Sequence, residues 1–150
     1  MTDLPDLYQE LIVDHNRNPR NFRVPADANR TAEGDNPLCG DRIKLFLRVQ
    51  DGRIADAAFQ GSGCAISKAS ASMMTQAVQG KTEDEAERLF KAFHAMVTAP
   101  VTNPAEAAAL GKLAAFGGVR AFPARVKCAN LPWHTLRAAL QAPGDRVSTE

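Results

Sequence analysis

Asp51-Gly52 stands between two stretches of alternating character. On its N-terminal side Ile43, Leu45, Leu47 and Val49 alternate with Lys44, Phe46 and Arg48, the period of a half-buried strand. An Asp-Gly pair suits a two-residue turn in which both positions want positive φ. The chain is therefore expected to form a tight hairpin, with residues 53–60 as the returning strand. Simple pairing sets Gln50 against Arg53, Val49 against Ile54 and Ile43 against Gln60. Phe46 and Phe59 then share one face, with Ala57 between them. Carried outward, the same register sets Cys39 against Cys64. Asp41 lies two residues from Cys39 and in extended backbone points to the same side. Two thiols and a carboxylate are thus expected to meet at the open end of one hairpin.

The rest of the chain reads mostly as helix. Leu4, Leu7, Tyr8, Leu11 and Ile12 mark one face of a first helix, with Asp3 as N-cap and Pro5 in the first turn. It should fade near His15, because Asn18 precedes a proline. Residues 16–37 read as a long ordered loop. Ile66, Ala69, Met73, Ala77 and Val78 predict a second helix ended by Gly80. Thr82 and Glu85 form a capping box for a third, with Ala86, Leu89, Phe90, Phe93 and Met96 as its buried stripe. Asn103-Pro104 should open an alanine-rich helix that runs to Phe116 and is closed by Gly117-Gly118. A last helix is expected after Cys128, carrying Leu131, Trp133, Leu136 and Leu140. The tail from Pro143 is expected to fray.

A chain of 150 residues suggests one domain spanning 1–150. Basic and acidic residues number 18 and 17, which excludes nucleic-acid binding by bulk positive charge. No apolar run approaches the roughly 20 residues of a membrane span. The acidic N-terminus lacks a signal-peptide pattern, so a cytoplasmic location is expected. Three cysteines are an odd number in a reducing compartment, which points to metal or thiol chemistry.

Cys39 and Cys64 sit among glycines, Cys64 just before a helix, and Cys128 follows Arg125 and Lys127. All three settings should lower a thiol pKa. Cys128 reads equally as a ligand or as a small core residue. Three cysteines and Asp41 are of the type and number that tetrahedral zinc accepts, and soft thiolates also suit iron–sulfur clusters. His15, His94 and His134 are ligands by type only; packing or helix capping explains each. Ser62, Ser67 and Ser70 lack the Gly-x-Ser-x-Gly elbow of a nucleophile.

Asp35-Asn36-Pro37-Leu38-Cys39-Gly40-Asp41, the run Gly61 to Ser67 around Cys64, and Arg125-Val126-Lys127-Cys128-Ala129 resemble the three cysteine motifs of IscU/NifU-type iron–sulfur cluster assembly proteins. Asn18-Pro19-Arg20-Asn21 and the first helix match as well, so the resemblance spans residues ~4 to 140. It implies an α+β fold, a small antiparallel sheet packed against several helices. Lys127 stands where scaffold-type members have histidine, and an extra segment around 99–111 separates the second and third motifs. Both resemble the SufU branch.

That branch implies zinc held by Cys39, Asp41, Cys64 and Cys128, with Cys39 accepting sulfur from a SufS-like cysteine desulfurase and relaying it to a downstream cluster-assembly complex. Such a site has a formal charge of about −2, which Arg125 and Lys127 would offset. The implied activity is a zinc-dependent sulfurtransferase. The alternatives are a scaffold holding iron or a [2Fe–2S] cluster on the same residues, and a structural zinc module that binds a partner. Arg17, Arg20, Arg23 and Arg30 are either a solvated loop or a docking surface for the desulfurase. Neither nucleic acid nor membrane is an expected partner.

Overall fold

The structure is a computed structural model that describes residues 4–99, 108, 110–141 and 146–148. The elements run α1 (Leu4–Arg17), β1 (Arg30–Asn36), β2 (Asp41–Gln50), β3 (Arg53–Ser62), α2 (Ala65–Val78), α3 (Glu83–Thr98), a 3₁₀ segment (Gly111–Ala121), α4 (Pro123–Gln141) and β4 (Arg146–Ser148). The strands form one sheet in the order β3-β2-β1-β4, so the α+β expectation holds.

The hairpin forms where the turn residues require it. Asp51 and Gly52 take φ of 53° and 74°, both in the left-handed region that this turn needs. Its register differs from simple pairing. Val49 faces Ile54, but Arg48 faces Asp56, which leaves Ala55 as the extra residue of a bulge. One inserted residue exchanges the faces of everything beyond it. Phe59 therefore lies opposite Leu45, and Phe46 opposite Ala58, so the two phenylalanines point to opposite faces rather than one. The shifted register also carries Asp41, not Cys39, toward the segment around Gly63 and Cys64.

The stretch expected to be loop contains β1, antiparallel to β2. Its inward positions are Ala32, Gly34 and Asn36, too small or polar to show as a hydrophobic alternation. Their size has a reason. A Cβ at Gly34 would collide with Thr135 Oγ1 of α4, which lies directly on the sheet. The tail expected to fray holds β4, parallel to β1, so the sheet is mixed and not wholly antiparallel.

α2 ends as expected, with Gly80 at φ 82°. The capping box is present: Glu85 N–H donates to Thr82 Oγ1 (3.1 Å) and Thr82 N–H to Glu85 Oε1 (3.2 Å). Such a cap contributes about 1 kcal/mol. Asn103-Pro104 and most of the extra segment lie outside the described residues. Gly117-Gly118 does not end the element around it, because 3₁₀ turns continue to Ala121. α4 starts at Pro123, earlier than expected, since proline fits the first turn of a helix. Arg125, Lys127 and Cys128 are thus helical. The core between sheet and helices is built on Leu45, Leu47, Phe59, Phe116 and Leu136, with Phe93 stacked on Trp133 at 4.7 Å.

Candidate metal centre

Cys39 lies in the turn between β1 and β2, where its N–H donates to Asn36 O (3.3 Å) and Gly40 takes φ 70°. Asp41 opens β2 with its side chain buried, and Cys64 is the N-cap of α2. Cys128 enters from the second turn of α4. The ligand atoms of Cys39, Asp41 and Cys128 all lie within 4.8 Å of one another. Cys64 Sγ lies 3.9 Å from Asp41 Oδ2 and also faces the Cys128 thiol. Cys39, Asp41 and Cys128 thus form the close group, and Cys64 stands outside it, joined through Asp41.

Asp41 is the hub. Its Oδ1 accepts the Cys64 N–H at 2.8 Å, and its Oδ2 accepts from Asn36 Nδ2 at 3.4 Å. No Arg or Lys pairs with it among the described residues. Gly63 makes this approach possible. It takes φ 151°, and a Cβ there would strike Asp41 Oδ1. Asn36 and Gly63 are the site residues that sequence reasoning missed. Asn36 lies within the Cys39 motif and, in the register, opposite Asp41.

The thiols differ in surroundings. Cys39 is exposed, Cys64 half-buried and Cys128 only 1% accessible. Burial, then the neighbouring Asp41 and the other two thiols, push the Cys128 pKa well above the usual thiol range. For Cys128 that corrects the expectation of a lowered pKa: α4 begins before Cys128 and carries it inward against the core.

A cation in the site would reverse that preference. Around zinc, tetrahedral geometry sets sulfur and oxygen donors roughly 3.5–3.8 Å apart. Donors already within 4.8 Å, all thiol or carboxylate, fit that group with small adjustments.

The centre opens into a surface cleft of roughly 830 Å³, walled by Ile12 and Val13 of α1 and by the 3₁₀ segment. Arg120 and Arg125 line it, and Arg125 stacks over Phe122 at 4.5 Å. Lys127 is half-buried and is not part of that lining. The histidines are elsewhere. His15 is buried with Nδ1 2.7 Å from Ser72 Oγ, and burial lowers its pKa. His94 and His134 pack around Phe90. Of the basic loop, Arg20 pairs with Asp14, Arg23 with Asp56 and Arg30 with Glu83, so three guanidiniums are held by carboxylates. No helix among the described residues is long and apolar enough to cross a membrane.

Residues 7–129 match the family of the NifU-like N terminal domain. The zinc-dependent sulfurtransferase SufU of Bacillus subtilis is 43% identical over 134 residues, which cover 89% of each chain. The iron–sulfur cluster assembly scaffold protein IscU of Streptococcus pyogenes is 39% identical over 141 residues, covering 94% of this chain and 87% of that one. A crystal structure from Fervidobacterium islandicum, described as an iron–sulfur cluster assembly scaffold for the SUF system, superimposes with a TM-score of 0.82 at 35% identity. It covers 88% of this chain and 95% of its own.

Proposed function

The chain belongs to the NifU-like N-terminal domain family, and from the close group of Cys39, Asp41 and Cys128, with Cys64 beside Asp41, we propose that it serves iron–sulfur cluster assembly as a zinc-dependent sulfurtransferase. Cys39, Asp41, Cys64 and Cys128 hold the zinc. Bound zinc supplies the positive charge that keeps the thiols ionised at neutral pH. The observation that carries the reading is the contrast within the site. Cys128 and Asp41 are buried, whereas Cys39 sits exposed in a turn that opens onto the cleft.

Cys39 is the sulfur acceptor. Its thiolate attacks the outer sulfur of a persulfide on the partner's cysteine. A new S–S bond forms to Cys39, the partner's S–S bond breaks, and the partner's cysteine leaves as a thiolate. The transfer needs no outside oxidant or reductant, since the moving sulfur keeps its oxidation state. The donor is a cysteine desulfurase, and the relayed sulfur goes to a cluster-assembly complex. Leu38, beside Cys39, is 64% exposed, and Phe122 with Arg125 flanks the cleft. These supply apolar and cationic contacts for a docked protein. Arg125 offsets the negative site from the cleft wall, and Lys127 adds to it from the adjoining face of α4.

The relatives named IscU favour a second reading, a scaffold on which a [2Fe–2S] cluster is built by the same residues. Metal analysis and desulfurase incubation separate the two. Colourless protein with about one zinc per chain, and one added sulfur on Cys39 by mass spectrometry, supports transfer. Brown protein after anaerobic purification, with no sulfur adduct on Cys39, supports scaffolding and overturns the transferase reading.

A further inference from the structure

Asn36 is the last residue of β1 and is completely buried. Its Nδ2 donates to two groups from different elements: Asp41 Oδ2 at 3.4 Å and Cys128 Sγ at 3.5 Å. Its backbone oxygen accepts the Cys39 N–H at 3.3 Å. One residue therefore touches three of the four donor residues, and does so unequally. Asp41 and Cys128 are held by its side chain, while Cys39 is tied only through the backbone of its turn.

The amide has one orientation that works. Turned over, Oδ1 would face a carboxylate and a sulfur, both electron-rich. As placed, Oδ1 is buried and has no hydrogen-bond partner among the described residues. Leaving a buried carbonyl unpaired costs about 1–3 kcal/mol, which an apolar side chain of similar size would avoid. Packing alone therefore does not account for Asn36; its N–H bonds to the two donors do.

We propose that Asn36 is a positioning residue that fixes Asp41 and Cys128 as the permanent half of the metal site, so that Cys39 is the donor that leaves. The inference rests on the zinc transferase reading. An N–H bond to sulfur holds the Cys128 thiolate in place and draws off part of its electron density, which makes it a poorer nucleophile. The Cys39 sulfur receives no such donor among the described residues. The amide thereby adds to the difference that burial already makes between the two sulfurs.

Asn36→Leu keeps the branching of the side chain at a larger volume and removes the donor, while Asn36→Asp keeps the shape and replaces the donor with an acceptor. Three measurements on the full chain read the effect: zinc affinity by chelator competition, the sulfur-to-metal charge-transfer band of the cobalt-loaded protein, and alkylation of each cysteine in the zinc-loaded protein. Both variants should bind zinc about 10- to 100-fold more weakly. The cobalt band should move to longer wavelength, because the sulfur lone pair rises in energy when its hydrogen bond is lost. Cys128 alkylation should rise relative to Cys39 by about 10-fold as the distinction between them fades.

Variants that match wild type in zinc affinity and band position overturn the role of Asn36. A band that stays in place while affinity falls reduces Asn36 to a packing residue and also overturns it. If Asn36→Leu does not fold, the isosteric Asn36→Asp decides by the same readouts. Wild-type protein that holds no zinc overturns the metal reading itself, a separate outcome from variants that merely match a zinc-loaded wild type.

Discussion

Cys39 and Cys128 offer sulfurs within 4.8 Å of each other, yet they belong to opposite kinds of structure. Cys39 is in a four-residue connection between strands, flanked by Gly40 and by the exposed Leu38. Cys128 is in a 19-residue helix, against the core and beside a buried amide. A turn residue can swing outward by rotating a few backbone angles. A residue in a packed helix moves only if the helix moves. The same chemical group thus sits in an exposed turn in one place and in a packed helix in the other.

The largest effect should come from removing the exposed sulfur. Cys39→Ser should lower sulfur acceptance by at least about 100-fold, because a hydroxyl is not a nucleophile of thiolate rank at neutral pH. It should retain more zinc than Cys128→Ser, since it leaves the buried half intact. Persulfide mass spectrometry and metal analysis of both variants check the contrast, and equal zinc loss in the two would break it.

Asp41→Ala strikes the buried half. It removes a buried candidate donor and the acceptor for the Cys64 N–H, so zinc affinity should fall by about 100-fold while the secondary structure is kept. Chelator competition alongside circular dichroism tests this. Unchanged affinity would remove the carboxylate from the site.

Gly63→Ala tests the wall between the halves. Both the collision with Asp41 and the φ of 151° oppose a side chain there. Unfolding by denaturant should show a loss of about 2 kcal/mol, with weaker zinc binding. Gly40 also has positive φ but open space around it, so Gly40→Ala should cost less. A larger loss at Gly40 would mean that strain in the turn, not crowding at Asp41, governs the site.

The smallest effect is expected at Lys127. Lys127→Ala removes charge but no ligand, so it should keep its zinc and accept sulfur more slowly by a factor of about 3 at low salt. The same change at Arg125, which lines the cleft, should slow transfer more. If Lys127→Ala matches wild type in both assays, the compensating charge comes from the cleft wall alone.

Much of this fold is legible because its signals are local. Asp51-Gly52 needs nothing beyond itself to make a turn, and Thr82 with Glu85 closes its own capping box. The period of Ala86, Phe90, Phe93 and Met96 marks a helix wherever it packs. β1 is illegible for the opposite reason: its inward residues are small or polar because α4 and the Asp41–Cys128 group press on them. β4 has three residues and no core of its own, so it exists only because β1 offers an edge.

The four donors divide in the same way. Cys39, Asp41 and Cys64 lie close along a hairpin and its extension, so their meeting follows from residues near one another in the chain. The bulge at Ala55 still altered which of them face each other, because one unpaired residue in a ladder is a tertiary compromise that no turn motif announces. Residue types and the family resemblance sufficed to name these four as candidate donors. Which thiol is buried, that Asn36 holds two donors, and that Arg125 rather than Lys127 lines the cleft depend on where α4 lies against the sheet. That placement comes from packing between residues as far apart as Arg30 and Leu140, which no local pattern encodes.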